Sequence, residues 1–184
     1  MEIQGLTYIQ NFISREEEIS LLDSINKQTW LSDLKRRVQH YGYKYDYKKR
    51  NIDNSMYLGE LPSWTSFVTD RMSSLNLIDK TPDQLIVNEY LAGQGISNHI
   101  DCEPCFGDTI ISVSLGSSCI MNFKNENQTV ELFLEPCSIV ILKDDARFKW
   151  SHGIASRKKD KWNNNIYNRN TRISLTFRET ILNK

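Results

Sequence analysis

Few residue types in this sequence stand out by abundance. In 184 residues there are three histidines, four prolines, four cysteines and eight glycines, and the formal net charge is zero. No run approaches the roughly 20 apolar residues needed to span a bilayer, so no membrane association is expected. Residues 1–10 lack a basic segment followed by an apolar run, which argues against a secretory signal. The expected location is therefore intracellular, in cytoplasm or nucleus, where all four cysteines would be reduced. Cys102 and Cys105 form a C-x-x-C, but no second Cys or His pair stands at zinc-finger spacing, so buried or loop thiols are expected there. Cys119 and Cys137 lie in apolar, strand-like stretches and read as small core residues. Internal repeats, linkers and low-complexity tracts are absent. A single domain with one substantial core is expected over residues 1–184, as a monomer.

Zero net charge conceals strong segregation. From Lys35 to Arg50 there are seven basic residues and one acidic; from Lys143 to Arg178 there are ten basic and three acidic. The rest of the chain is correspondingly acidic. Such separation allows a local positive field on a neutral protein, the footprint of a phosphate-bearing partner.

Two helices are predicted early. Ser14 with Glu17 makes a capping box, followed by Ile19, Leu21, Leu22 and Ile25 at helical spacing, which predicts a helix over about 15–27. Pro62 can open a second, through Trp64, Phe67, Val68 and Met72 to about Leu75. Between them, Tyr41, Tyr43, Tyr45 and Tyr47 alternate with Gly42, Lys44 and Asp46, which predicts a ribbon. From Gln84 onward the signal is β: QLIVNEYL, TIISVSLG, SCIMNFK, TVELFLE, CSIVILK and TRISLTFR. These runs are short, rich in Ile, Val, Leu and Phe, and bounded by Gly, Pro, Asn or Asp. The pattern predicts a mostly β (α+β) fold of jelly-roll type with N-terminal helices packed on one side. Residues 1–80 would supply helical support and a recognition lid, and 81–184 the core.

The candidate chemistry begins with the histidines at 40, 99 and 152. His99 and Asp101 flank Ile100, and residues two apart in an extended segment point to one face. A distant histidine, His152, would complete a two-histidine, one-carboxylate facial triad that binds Fe(II) and leaves positions open opposite. His40 precedes the predicted core and reads as structural or lid-associated.

Strand parity adds a second element. In TRISLTFR, Arg172, Ser174, Thr176 and Arg178 share one face, and Ile173, Leu175 and Phe177 the other. Two arginines facing the inside of a small barrel would be costly unless an anion met them. A dicarboxylate suits them, since guanidinium and carboxylate pair through two parallel hydrogen bonds. The same parity sets Asn88 and Tyr90 on one face and Val87 and Leu91 on the other, offering an amide and a phenol to the same cavity.

The ordered series N-E-Y, H-I-D, H and R-I-S-L-T-F-R resembles the AlkB-like branch of the Fe(II)/2-oxoglutarate-dependent dioxygenases, over about Arg36 to Arg178. The stretches R-R-V-Q-H-Y-G-Y, S-V-S-L-G-S and W-S-H-G-I look closest to homologues that hydroxylate a modified wobble uridine in tRNA. One departure is Ser174, where many members carry Asn. The resemblance implies a double-stranded β-helix with Fe(II), 2-oxoglutarate as cosubstrate and O2. It implies that His99, Asp101 and His152 ligate the metal, that Arg172 and Arg178 meet the cosubstrate carboxylates, and that Asn88 and Tyr90 hydrogen-bond it. Six residues of strand would separate the two arginine Cα atoms by roughly 20 Å, so Arg172 is the firmer assignment.

The implied reaction is oxidative demethylation or hydroxylation of a modified base in DNA or RNA, tRNA included. In that family the lid region covers a target nucleotide taken out of its stack. Rings that stack on bases and cations that meet phosphates make Arg36, Arg37, Tyr41, Tyr43 and Tyr45 the candidate nucleic-acid contacts. The basic loop Arg157–Lys161, followed by Trp162, is a second possible phosphate-binding element. The alternatives are the same iron centre hydroxylating a protein or small molecule, and a nucleic-acid-binding jelly roll without catalysis.

Overall fold

Apolar residues alternate along the strands of this chain, and that alternation sorts its side chains onto two faces of one large sheet. The computed structural model describes residues 2–32, 35–46 and 49–182. Its elements run β1 (Leu6–Ile9), α1 (Arg15–Asn26), β2 (Val38–Tyr41), α2 (Ser66–Ser74), β3 (Gln84–Tyr90), β4 (Ile96–His99), β5 (Phe106–Gly116), β6 (Cys119–Lys124), β7 (Thr129–Leu134), β8 (Ser138–Leu142), α3 (Asp144–Phe148), β9 (Ser151–Ile154), β10 (Lys159–Trp162), β11 (Asn165–Asn168) and β12 (Arg172–Thr180). The major sheet has the order β1-β8-β5-β12-β3-β2 and the minor sheet β4-β9-β6-β7, while β10 and β11 form a separate hairpin. Every strand pairing is antiparallel.

One face of the major sheet is covered by the helices. Leu85 and Val87 of β3, Ile111, Val113 and Leu115 of β5, and Ile173, Leu175 and Phe177 of β12 pack with Leu21 and Ile25 of α1 and Val68 and Met72 of α2. Each such buried side chain contributes about 1.5–3 kcal/mol. The opposite face carries Ile110, Val140 and Leu142 into a second cluster with Met121, Phe123, Leu134 and Ile154 of the minor sheet. The result is a jelly roll with helices on one side, as the strand pattern predicts.

The helix α1 begins at the predicted capping box: Ser14 Oγ accepts from the Glu17 backbone N–H, and the Glu17 side chain accepts from that of Ser14. Three acidic residues in its first turn face the positive end of the helix dipole. Past its last turn, Gln39 Nε2 donates to the carbonyl of Ile25 at 3.0 Å, tying helix to edge strand. The second helix starts later than Pro62 predicts. Pro62 opens a 3-10 turn over Ser63–Thr65, and the α-helix follows.

The first eighty residues supply strands as well as helices, since β1 and β2 are the two edges of the major sheet. Only part of the tyrosine-rich segment is a ribbon. β2 ends at Tyr41, and Gly42, at φ +74°, passes so close to the Asp83 carbonyl that a Cβ would lie 1.8 Å from its oxygen. Tyr47 falls outside the described residues.

The expectation of four reduced cysteines is corrected. Cys102 and Cys105 form a disulfide, and only Cys119 and Cys137 are free thiols. The Cys105 N–H donates to the Cys102 carbonyl at 3.2 Å, and this tight turn brings the Cα atoms to 5.2 Å, within bridging range. Among the described residues, no helix is long and apolar enough to cross a membrane.

Candidate active site

The minor sheet brings the two histidines together by register. β4 and β9 are antiparallel, and His99 lies directly opposite His152, with ring centroids 4.6 Å apart. Close approach of the strands depends on Gly153. A Cβ there would stand 2.8 Å from the Asn98 N, the Asn98 Oδ1 and the Ile96 carbonyl oxygen. Asp101 follows two residues after His99, and its Oδ2 lies 3.4 Å from His152 Nε2. One ligand atom from each of the three residues falls within 4.8 Å of the others, and among the described residues this is the cluster that could hold a metal ion.

Protonation favours a metal. Burial drives the His152 imidazole down to about 4 against the pull of the Asp101 carboxylate, so the ring is neutral at pH 7. Burial alone would push the Asp101 carboxyl up, but Arg178, His152 and His99 outweigh it and hold the group well below the usual carboxylate range. His99 Nδ1 is 2.9 Å from the Ser97 carbonyl, to which it can only donate, so Nε2 is the nitrogen left to face a metal. Two imidazoles, that of His152 neutral, and one ionised carboxylate suit a divalent first-row metal. Among the described residues, His152 Nδ1 is buried without a partner.

Above this cluster opens a cavity of about 910 Å³, lined by residues of both sheets and by Lys35, Arg36, Tyr45 and Arg50. Strand parity places Arg172, Ser174, Thr176 and Arg178 in its wall together with Asn88 and Tyr90, while Ile173, Leu175 and Phe177 sit in the helix-covered core. Leu91, expected opposite Tyr90, lies beyond the end of β3 and is half exposed.

The two arginines have different surroundings. Arg178 donates to Asp101 Oδ1 at 2.5 Å and to Gln84 Oε1 at 3.2 Å, with its guanidinium over the Phe106 ring. Arg172 is 3 % exposed. It donates to Ser114 Oγ at 2.8 Å and lies over the Tyr90 ring, its Nε has no partner, and among the described residues no carboxylate pairs with it. A buried cation without a counter-ion marks an anion site. Ser174 occupies the variant position of the arginine strand and meets Ser112 Oγ at 2.7 Å.

The five candidate nucleic-acid contacts divide between faces. Arg36 donates to Asn88 Oδ1 at 2.8 Å, lies over the Tyr90 ring and lines the cavity. Arg37 points the other way: it pairs with Glu89 through two bonds of 2.8 and 2.7 Å and covers Trp30. Tyr41 also turns to the helix side, since its register partner is Leu85; it packs edge-on against Trp64 and donates to Gln39. Burial pushes its phenol up to about 12. Tyr43 packs against Tyr57, while Tyr45 lines the cavity beside Phe106. The cavity thus gathers Arg36 and Tyr45, and not Arg37, Tyr41 or Tyr43.

Three features of the site lie outside the residues that the sequence singles out one by one. Lys35 and Arg50 line the cavity mouth. Ser112 and Ser114 of β5 face Ser174 and Arg172. Arg147 of α3, 2 % exposed, donates to the carbonyls of Asp101, Cys102, Phe106 and Gly107 at 3.0–3.5 Å, clamping the segment that bears Asp101. An arginine in a D-D-A-R-F run reads as a solvated helix residue, and only the return of 101–107 over α3 buries it.

The model of the 2OG-Fe(II) oxygenase superfamily matches residues 5–178. An uncharacterized protein of Acanthamoeba polyphaga mimivirus is 36 % identical over 189 residues, covering 99 % of this chain and 88 % of the viral one. The mouse tRNA (carboxymethyluridine(34)-5-O)-methyltransferase ALKBH8 is 39 % identical over 165 residues, which are 85 % of this chain but 25 % of the mouse protein. A solved structure of OsALKBH1 superposes with a TM-score of 0.71 at 16 % identity, covering 97 % of this chain and 98 % of the other.

Proposed function

This chain belongs to the 2OG-Fe(II) oxygenase superfamily, in its AlkB-like branch, and from that premise we propose that it oxidises a modified base in nucleic acid, with the cavity above His99, Asp101 and His152 as its active site. When bound there, Fe(II) with 2-oxoglutarate and O2 supplies decarboxylation of the cosubstrate to succinate and CO2, coupled to hydroxylation of a substrate C–H bond. A hydroxylated N-methyl group leaves as formaldehyde, whereas a hydroxylated methylene carbon keeps its oxygen.

The chain's own residues then have distinct tasks. His99 and His152 would present imidazole nitrogens and Asp101 an ionised carboxylate to the metal, and Arg178 keeps Asp101 deprotonated and oriented. Arg172 binds the distal carboxylate of 2-oxoglutarate beside Ser114. Tyr90, with the guanidiniums of Arg36 and Arg172 over its ring, would line the cosubstrate pocket and offer its phenol to it. Asn88, held by Arg36, is positioned to hydrogen-bond it. Lys35, Arg36 and Arg50 at the mouth offer positive charge to phosphates, and Tyr45 a ring to a base. Residues 1–184 act as one catalytic unit.

The observation that carries this reading is the unpaired, buried Arg172 in the same cavity as the metal-competent cluster. The mouse relative is named for a tRNA methyltransferase, but this chain spans a quarter of it, so the tRNA part of that name is the pointer taken here. The test supplies Fe(II), 2-oxoglutarate and either methylated oligonucleotides or hypomodified tRNA, and follows succinate. Substrate-dependent succinate from the native chain, absent in His99→Ala, is expected. Full turnover in that variant, or no 2-oxoglutarate binding by the native chain, refutes it. A protein or small-molecule substrate would instead leave binding and its salt dependence unchanged in Arg36→Gln.

A further inference from the structure

The basic segment Arg157–Lys161 is not absorbed by the iron cavity. It leads into the β10–β11 hairpin, which pairs with neither large sheet. The hairpin is nevertheless rigidly built. Its two-residue turn places Asn163 and Asn164 at φ +47° and +64°, the left-handed pair that a tight hairpin needs and asparagine tolerates. At its base the buried Asp160 carboxylate accepts two bonds from Arg169, at 2.5 and 2.8 Å, and one from Arg157 at 2.7 Å. Trp162 and Tyr167 on the inner face pack against Phe133, with ring centroids 5.8 and 4.6 Å away.

The outer face is different. Register sets Lys159 opposite Asn168 and Lys161 opposite Ile166, so these four side chains share the face away from Asp160 and Tyr167. All four are exposed, and Ile166, at 69 %, is the most exposed large hydrophobic residue described. Asp160 is the one acidic residue between 157 and 169, and it is buried among arginines. The outer face thus presents two lysines beside one isoleucine, with no acid among them, a positively charged surface complementary to phosphate.

Its position relates it to the cavity. The Lys158 side chain crosses Gly93, its Cγ 3.6 Å from where a Cβ would stand. One residue on, Gln94 Nε2 donates to the Lys35 carbonyl at 2.9 Å. Lys35, Arg36 and Gly95 form the cavity mouth. Lys35 and Arg36 thus line the cavity, Lys158 lies beside the neighbouring Gly93, and Lys159 and Lys161 follow it in the chain on the outer face of the hairpin. We propose that the outer face of the hairpin docks the sugar–phosphate backbone flanking the nucleotide in the cavity, the lysines meeting phosphates and Ile166 packing on a ribose or an unstacked base. This rests on the nucleic-acid reading of the cavity.

Fluorescence anisotropy of the full chain with labelled single-stranded RNAs of 5 and 20 nucleotides tests it, across a salt series. In Lys159→Gln/Lys161→Gln the 20-mer should bind about tenfold more weakly, and the slope of log affinity against log salt should fall by about 1.4, two single-strand phosphate contacts' worth. Ile166→Asp should weaken the 20-mer likewise. Binding of the 5-mer and of 2-oxoglutarate, and the melting temperature, should not change. Native affinity and slope in the double variant overturn the hairpin site alone, as does equal affinity of the native chain for both RNAs. A native chain that binds 2-oxoglutarate and neither RNA overturns the nucleic-acid reading and the hairpin site together.

Discussion

Arg172→Met separates the folding cost of the cosubstrate site from its binding function. Arg172 is 3 % exposed and unpaired by any described carboxylate. Withdrawing such an ion from water costs several kcal/mol. One hydrogen bond to Ser114 returns about 1 kcal/mol and the contact with the Tyr90 ring about 1–2 kcal/mol. The remainder, about 2 kcal/mol, opposes folding. Methionine fills similar volume without charge, so the metal-free variant should be more stable by about 2 kcal/mol, a rise of roughly 4–8 °C in Tm for a chain of this size. Cosubstrate binding should move the other way. Native protein with Mn(II) in place of Fe(II) should gain about 2.7 kcal/mol from 2-oxoglutarate at one hundred times Kd. Losing one partner of a buried charge pair costs about 2–5 kcal/mol, so the variant should bind at least about 30-fold more weakly, and the gain at that concentration should fall to about 0.9 kcal/mol or less. Calorimetric melting of both proteins, with and without 2-oxoglutarate, reads both effects. A variant that melts lower than the native chain refutes the uncompensated cation, and a retained ligand shift refutes the anion site.

Arg147→Met should cost about 3–5 kcal/mol in urea unfolding, because four carbonyls of 101–107 lose their donor; a loss below 1 kcal/mol would mean that water replaces the guanidinium. Glu17 is held down to about 2, chiefly by its hydrogen bond from Arg71. A carboxyl lowered on folding stabilises above its ordinary value near 4.5 and loses that contribution as pH falls towards about 2. Glu17→Gln should therefore destabilise by about 1–2 kcal/mol at pH 7 after allowance for partial exposure, and by almost nothing at pH 2; a pH-independent difference would contradict the ion pair. Replacing both Cys102 and Cys105 by serine should cost about 2 kcal/mol, the entropy of a short closed loop, and thiol counting in unfolded, unreduced protein should find two free thiols rather than four.

The legible parts of the fold are those whose signal is local. The six apolar runs from Gln84 to Arg178 are all strands, four in the major sheet between the helices and the minor sheet and two, β6 and β7, in the minor sheet, because their Ile, Val, Leu and Phe side chains fill the cores these sheets enclose. Five strands escape such reading. β4 (ISNH) and β9 (SHGI) are four residues each and mostly polar, and they persist because each pairs with the other and β9 with β6. These two carry His99 and His152. β1 and the hairpin strands are equally short. Neighbouring residues of the lid segment also part company for a reason that periodicity only half supplies. Arg36 meets Asn88 and Arg37 meets Glu89, so the twofold repeat sends them to opposite faces.

By itself, then, the sequence determined which residues share a face: His99 with Asp101, Arg172 with Ser174, Thr176 and Arg178, Asn88 with Tyr90. Side chains in an extended chain alternate whatever surrounds them. Only the tertiary structure decided what each face looks at. Register across β4 and β9 set His152 opposite His99. The minor sheet turned the arginine face into a cavity wall, and helix packing drew Tyr41 and Arg37 away from it. Contacts between residues fifty or more positions apart are set by the closing of two sheets, and no local pattern encodes which partner will stand across the gap.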